Sequence, residues 1–277
     1  MIELQPIEFS HVTPLLSGIK QAVLPEAVCA GINPGRVFAD RGEHPRTALI
    51  WTPVGYYFLA GDPAQAADIA GLSQVLTGTF VPASQASGES GFILITSAPA
   101  WKEHLPALLP GRQVIEIYRR PFAFDAGRFA AAVGGWRERI PAGFRLQRMD
   151  AALAEEAGAL ASWASLEDFL THGIGFALLH GAEIASACLS VFASPSRVEI
   201  DVHTAEAYQR QGLACLTAAA LIEACLGQGK QPNWECFWEN EPSTALALKL
   251  GFSQLPDYPV YFWEEAPSEP QGDSNDN

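Results

Sequence analysis

Positive charge is scarce in this chain. Lys and Arg number 17 against 31 Asp and Glu, giving a formal net charge of -14 over 277 residues. No basic stripe is present to neutralise phosphates, which argues against nucleic acid or an anionic membrane as a partner. The acidic balance is compatible with a cationic, amine-bearing ligand. Long apolar runs are also missing. A bilayer-spanning helix needs roughly 18 such residues, and the longest run, 213–226, is too short. The opening MIELQPIEFSHVTPLL has neither the basic stretch nor the long apolar core of a signal peptide. Cysteines show no pairing pattern. Cys29, Cys188, Cys215, Cys225 and Cys236 include no CxxC, and four of them lie in apolar runs. They are expected to be buried free thiols rather than metal ligands or disulfides, which points to a reducing cytoplasm. No GxGxxG followed by an acidic residue on a next strand is found, so a Rossmann dinucleotide site is not expected. No exact internal repeat is visible.

What is present is a globular composition, 48% hydrophobic and 17% charged, long enough for two domains. The first half reads as mixed α and β. Thr13-Pro14 marks a helix start, and strand-like runs follow at 36–39, 47–51 and 56–60. Asp62-Pro63 opens a helix to about residue 76. Residues 77–91, rich in Gly, Ser and Pro, read as a loop. Short strands are expected at 92–96 and 114–118. A helix capped by Asp125 is expected to reach residue 140, despite Gly134-Gly135. Pro141-Ala142-Gly143 is the best boundary, dividing an N-terminal α/β domain (1–142) from a second domain (143–265). The acidic, polar stretch 266–277 reads as a solvated tail.

In the second domain, a strand is expected at 144–149, with helices at 151–161 and 165–171. Strands at 176–180 and 184–192 pair across Gly181-Ala182-Glu183 as a hairpin. A strand over 198–204 then runs into Tyr208-Gln209-Arg210-Gln211-Gly212-Leu213-Ala214, and a helix apolar almost all round occupies 213–226. A helix start carries unpaired N–H groups and the positive dipole end. Gly212 and Ala214 leave that backbone open to a phosphate, and Arg210 can add a charge-assisted contact. The bare spacing arises by chance about 0.3 times in such a length, so the motif alone is equally an ordinary strand-to-helix turn. Its context is more specific. Another strand follows over 233–238, then Asn240 and a helix ending Leu250-Gly251-Phe252.

With these neighbours, Gln209, Gly212 and Ala214, then Asn240, Ser243 and the ending LALKLGF, the chain resembles the GNAT N-acetyltransferase superfamily over roughly residues 144–263. EIDVHT, YQRQGLA and NEPSTALALKLGF are similar to the bacterial subgroup containing the zwittermicin-resistance acetyltransferase. Ala30-Gly31-Ile32-Asn33-Pro34-Gly35 fits that subgroup's N-terminal half. The resemblance implies an α+β chain. Its C-terminal GNAT fold is a mixed, mostly antiparallel central sheet flanked by helices, and its N-terminal α/β domain is a possible degenerate GNAT-like copy. It implies an acetyl-CoA site on Val202, His203 and Thr204 and on Gln209, Arg210, Gln211, Gly212, Leu213 and Ala214. Asn240 and Ser243 complete it on the pantetheine arm. The implied activity is direct transfer of an acetyl group to a small-molecule amine, and the subgroup resemblance implies an amine-bearing antibiotic as such an acceptor. No metal, membrane or nucleic acid is implied.

Acetyl transfer to an amine needs a base for the ammonium proton and a donor for the developing oxyanion; a thiolate that departs also gains from an acid. Glu199, Asp201 and His203 share one face of the strand before the phosphate loop, where a central strand is normally apolar. Glu199 is the first choice for base by its match to the family's carboxylate, and Asp201 the second. His203 could titrate near neutrality. The alternative is that this face looks outward or joins a structural ion-pair network. The family often places a Tyr four residues before the last glycine. Here Ala247 stands there, with Tyr208, Tyr258 and Tyr261 as substitutes by sequence proximity alone. That gap leaves open a protein that binds acyl-CoA without turning it over. An aminoacyl transferase built of two GNAT halves and fed by tRNA is opposed by the acidic balance. Asn240 also suits an N-cap before Glu241-Pro242, and Trp234, Cys236 and Trp238 alternate as core or substrate wall. Cys236 has no basic partner near it in sequence, as a nucleophile would need.

Overall fold

The structure is a computed structural model that describes residues 1–20 and 22–265. The tail read over 266–277 lies outside the described residues. Thirteen strands form one continuous sheet among the described residues. In chain order they are β1 (Ile2–Glu3), β2 (Arg36–Ala39), β3 (Thr47–Trp51), β4 (Tyr56–Gly61), β5 (Gly91–Thr96) and β6 (Ile115–Phe124). There follow β7 (Phe144–Arg148), β8 (Gly175–His180), β9 (Glu183–Ala193), β10 (Arg197–Thr204), β11 (Gln231–Phe237), β12 (Phe252–Gln254) and β13 (Tyr258–Glu264). The helices are α1 (Val23–Cys29), α2 (Ile69–Val75), α3 (Val81–Ala86), α4 (Leu105–Leu108) and α5 (Ala126–Val133). After them come α6 (Ala151–Glu156), α7 (Leu166–His172), α8 (Leu213–Gly227) and α9 (Glu241–Lys249).

The order across the sheet is β1-β2-β3-β4-β5-β13-β6-β11-β10-β9-β8-β7, with β12 beside β6. The two ends mirror one another. β1 to β4 pair antiparallel and β4 pairs parallel with β5. β7 to β10 likewise pair antiparallel and β10 pairs parallel with β11. The second half's last strand, β13, lies against β5, whereas the first half's last strand, β6, lies against β11. The chain is therefore a duplicated fold whose closing strands are exchanged. Each half completes the other's sheet.

Apolar burial explains the layering. α8 is apolar round most of its circumference and packs into a core with Val198 and Ile200 of β10, Cys188 of β9 and Trp234 of β11. On the opposite face α1 covers β9 and β10 and joins the first-half core with Phe192, Tyr258 and Val260. Alternation along β10 then directs Val198 and Ile200 toward α8 and Glu199 toward the first half.

Several local expectations change. The expected helix start at Thr13-Pro14 is instead the interior of a 3-10 helix, Pro6–Gly18, begun by a Gln5–Glu8 capping box with Pro6 at its first position. The helix expected from Asp62 breaks into a 3-10 turn, Pro63–Gln65, and α2, because Asp68 supplies a second cap. The loop expected over 77–91 holds a π turn, Leu76–Phe80, and α3, whose Ser84 accepts hydrogen bonds from Trp51 and Tyr57 at 2.8 and 2.9 Å. The strand expected over 114–118 runs on to Phe124, since β11, β12 and β13 all pair with it. The helix expected to reach residue 140 stops at Val133, where Gly135 turns left-handed at φ 66°. The one expected over 151–161 is α6 and a 3-10 turn, Ala159–Ala161, separated at Gly158. All five cysteines are buried and free. Among the described residues no helix is long and apolar enough to cross a membrane.

Candidate functional site

β10 and β11 pair only at Arg197–Gln231, Val198–Pro232 and Glu199–Asn233, and then diverge. The remainder of β10 stays on β9, with Ile200 opposite Ser190 and Thr204 opposite Ser186. One edge of β10 therefore faces a gap rather than a strand. A cavity of about 910 Å³ occupies this gap. Glu199, Asp201, Val202, His203 and Thr204 line it from β10, as do Gln209, Arg210, Gly212, Leu213 and Ala214 from the turn and helix. Asn240 and Ser243 border it from α9. Gln211 is exposed and bonds the Ala207 carbonyl at 3.4 Å, and it does not line the cavity.

The turn after β10 is a 3-10 piece, Glu206–Tyr208, followed by Arg210 at φ 60° and Gly212 at φ 80°. Gly212 is the N-cap of α8, and a Cβ built on it would meet nothing within 4 Å. Space does not demand glycine here. The left-handed backbone does, and a methyl group would project into the approach to the helix end. Leu213 and Ala214 stand too early in the helix to bond within it, and no other backbone acceptor takes their N–H groups among the described residues. The first turn carries no acidic residue. Arg210, with Lys249 from the end of α9, adds positive charge to the wall. This donor set fits the diphosphate of coenzyme A: open amides, a helix dipole and two cations. Lys249 was missed in the sequence because the helix that carries it follows another strand.

The corresponding turn of the first half is closed to anions. Asp68 caps α2, its carboxylate accepts the Gly71 N–H at 2.7 Å, and the chain's N-terminal ammonium lies 3.3 Å away. A carboxylate fills the place that Gly212 leaves open. β4 and β5 also stay paired through Leu59–Thr96, so no gap forms beside them.

Glu199 sits where β10 and β11 part. It is 4% exposed, and its Oε2 accepts the Asn233 Nδ2–H at 2.6 Å. Burial, then the neighbouring Glu235 charge, push its carboxyl up to about 8, against the Asn233 hydrogen bond and the more distant Arg119 and Arg197. Asp201 opens onto the cavity. The walls around it nevertheless withhold water, which raises its carboxyl, partly offset by the Val202 amide and by His203. The His203 ring is exposed. The Thr204 hydroxyl lies 3.0 Å from that of Ser186, directed into the sheet.

Asn240 caps α9, its side chain accepting the Ser243 N–H at 3.0 Å. Ser243 in turn accepts from the Trp234 indole at 3.0 Å, so Trp234 is buried while Trp238 lies exposed beyond the strand end. The Cys236 thiol lies 3.7 Å from Thr244 Oγ1, which also accepts from Arg120 Nη1 at 3.2 Å, and Arg120 is the residue opposite Cys236 on β6. Ala247 is fully buried in the core under α9. The Tyr208 hydroxyl donates to Glu183 at 2.8 Å and meets His180 at 3.1 Å; Tyr261 belongs to a core of the first half.

Tyr56, Arg119, Glu235 and Phe237 line the cavity from distant segments. Arg119 of β6 donates through Nε to Glu235 Oε1 of β11 at 3.0 Å and through Nη1 to the Tyr56 hydroxyl of β4 at 3.3 Å. Its guanidinium also lies 4.5 Å from the Phe237 ring centroid. The Tyr258 hydroxyl of β13 donates to the same Glu235 oxygen. Burial raises the Glu235 carboxyl, against Arg119 and Tyr258, which favour its charged form. Leu24, Val54, Val191 and Phe192 add an apolar wall. Val191 is the extra residue of a bulge, since Glu199 pairs with Phe192 and Ile200 with Ser190. Asn33 holds this bulge: its side chain donates to the Val191 and Ser162 carbonyls at 3.2 and 3.0 Å and accepts the Ala193 N–H at 3.0 Å. The AGINPG segment of the first half thereby braces the strand beside Glu199.

The family profile described as GNAT acetyltransferase matches residues 13–261. The chain is 31% identical over 235 residues to the uncharacterised N-acetyltransferase YdfB of Bacillus subtilis (strain 168), covering 83% of this chain and 85% of that one. Among solved structures it is similar to a GCN5-related N-acetyltransferase-like protein from Streptococcus suis 89/1591. That match has a TM-score of 0.70 at 25% identity, over 93% of this chain and 99% of that one. A tandem GNAT protein from the clavulanic acid biosynthesis pathway shares the fold at a TM-score of 0.57 and 13% identity, over 97% of this chain and 99% of that one.

Proposed function

The chain belongs to the GNAT acetyltransferase family, and on that footing we propose that it moves the acetyl group of acetyl-CoA directly onto an amine of a small molecule. The observation that carries this reading is a single cavity holding an open helix end on one side and a buried, unsaturated carboxylate, Glu199, on the other. Gly212, Leu213 and Ala214 hold the diphosphate by their amides, with Gln209, Arg210 and Lys249 around it. The unpaired edge of β10 at Val202, His203 and Thr204 offers backbone groups to the pantetheine arm and to the developing oxyanion. Acetyl-CoA supplies an activated thioester, whose C–S bond breaks as the N–C bond forms, the sulfur leaving with the electron pair. Glu199 takes the ammonium proton, directly or through water, and Asp201 keeps the entrance acidic. The residues 1–142 roof the acceptor end, and 143–265 bind the donor.

The acceptor is a soluble, cationic amine, and the likeness of EIDVHT, YQRQGLA and NEPSTALALKLGF to the zwittermicin-resistance subgroup supports an amine-bearing antibiotic as one such acceptor. α9 contains no tyrosine, and Tyr208, which lines the cavity, donates its hydroxyl to Glu183. The thiolate therefore leaves without an acid from α9, next to the positive end of α8.

Glu199→Gln tests the reading. Turnover is expected to fall by about 100-fold or more, the usual worth of a positioned base, with acetyl-CoA affinity held. Unchanged turnover removes Glu199 as base.

A further inference from the structure

We propose that Glu235 and Glu199 together clamp a primary ammonium group, so that the acceptor is a primary alkylamine on an apolar body. This deepens the acetyl-transfer reading and rests on it. Glu199 and Glu235 lie on the same face of adjacent strands, because Glu199 pairs with Asn233 and Glu235 is two residues further on. Both line the cavity, and both are buried, the Glu235 side chain to 1% exposure.

Each carboxylate has one oxygen engaged and one free. Glu199 Oε2 accepts from Asn233, and Oε1 has no partner among the described residues. Glu235 receives both Arg119 and Tyr258 on Oε1 and nothing on Oε2. A purely structural Arg–Glu pair would gain more by using both oxygens. Among the described residues, the only buried side-chain oxygen or nitrogen sealed away without a partner is the Ser162 hydroxyl. The two free carboxylate oxygens are therefore open to the cavity.

The ligand that matches them is a small cation with several hydrogens to donate. No group of three metal-ligating side chains occurs among the described residues, so a coordinated metal does not fit. An alkylammonium brings three N–H donors and bonds to charged oxygens favourably where water is excluded. Beyond the clamp the wall is Leu24, Val54, Val191 and Phe192, which suits hydrocarbon. The remaining buried cation, Arg119, is already committed to Glu235 and Tyr56 and is not aimed at an acceptor carboxylate. Glu235, whose charged form Arg119 and Tyr258 favour against its burial, binds; Glu199, lacking a direct cation, is the one that accepts the proton.

The experiment uses the unaltered chain with CoA bound and a methylation series on one body: 2-phenylethylamine, its N-methyl and its N,N,N-trimethyl forms, measured by titration calorimetry. Charge is constant along the series and donor hydrogens are removed. The primary amine is expected to bind tightest and the quaternary form at least about 10-fold more weakly, the worth of one charge-assisted hydrogen bond. Equal or tighter binding of the quaternary form overturns the clamp, and failure of the primary amine to bind overturns the acceptor class. Glu235→Gln is expected to raise KM for 2-phenylethylamine by about 10-fold or more while acetyl-CoA affinity holds, again the loss of one charge-assisted bond. An unchanged KM overturns the role of Glu235. Acetylated amines with a flat methylation series sink only the clamp, whereas loss of acetyl-CoA binding in the unaltered chain sinks the acetyl-transfer reading itself.

Discussion

Replacing Glu199 by Gln is expected to make the protein more stable as pH rises, by an amount the structure allows to be worked out. An unfolded glutamate ionises near its ordinary value of 4.5, whereas the folded Glu199 does so only at about 8. Its folded-state pKa is raised, so its favourable contribution is fully present below pH 4.5 and is lost as pH climbs to about 8. That interval corresponds, at about 1.4 kcal/mol per tenfold in proton affinity, to on the order of 5 kcal/mol. Gln keeps the shape and still accepts from Asn233 Nδ2, but it cannot charge. Urea unfolding of both chains at a series of pH values from 5 to 9, followed by tryptophan fluorescence, gives the difference in unfolding free energy. That difference is expected to grow in the variant's favour at about 1.4 kcal/mol per pH unit and to level off above about 8. Acidic groups distant from Glu199 titrate in both chains and cancel, and Glu235, which repels Glu199, ionises more readily in the variant. Parallel curves would show that Glu199 is not a desolvated carboxylate, and a variant that loses ground with rising pH would reverse the sign of the argument. A second consequence is kinetic. Only about a tenth of Glu199 is ionised at pH 7 in the free enzyme, so kcat/KM should rise through about 8.

Two further predictions follow from the backbone. Gly212→Ala places a Cβ on a left-handed residue at the α8 end, and is expected to cost about 1–2 kcal/mol of stability and weaken acetyl-CoA binding by about 10-fold or more. Calorimetry of acetyl-CoA binding checks it, with unchanged affinity counting against the helix end as the anion site. Asn33→Ala removes three hydrogen bonds around the Val191 bulge, and is expected to lower stability by about 3 kcal/mol and to lower kcat with acetyl-CoA affinity held. An unchanged kcat in the folded variant would reduce Asn33 to a structural brace.

The helix-start side of the cavity was legible because its signals are local. A strand, a turn with Gly212 and an apolar helix lie within 31 residues, 197–227, and each step is governed by near neighbours. Asn240 read correctly as a cap for the same reason. The cluster around Glu235 was not legible. Arg119 and Glu235 are 116 residues apart, and Tyr56 is 63 from Arg119; no spacing rule links them. Residues 77–91 read as a loop because Gly, Ser and Pro weigh against a helix locally. The segment is held in place by Trp51 and Tyr57, which reach Ser84 from β3 and β4. The duplication was expected only through the family resemblance, because the two halves keep pairing directions rather than residues, and Asp68 stands where a glycine-like opening would have marked a second site.

Apolar periodicity and the Gly212 turn already determined the strands and helices of the second half and an open helix start, and the family resemblance their α+β arrangement, since those signals belong to single residues and short spacings. Only the tertiary structure decided which carboxylates lose water. Exchanging β6 and β13 between the halves brings Arg119 and Tyr258 onto Glu235, while α1 packs on β9 and β10. Desolvation depends on everything packed around a group, and that sum exists only once the sheet has closed.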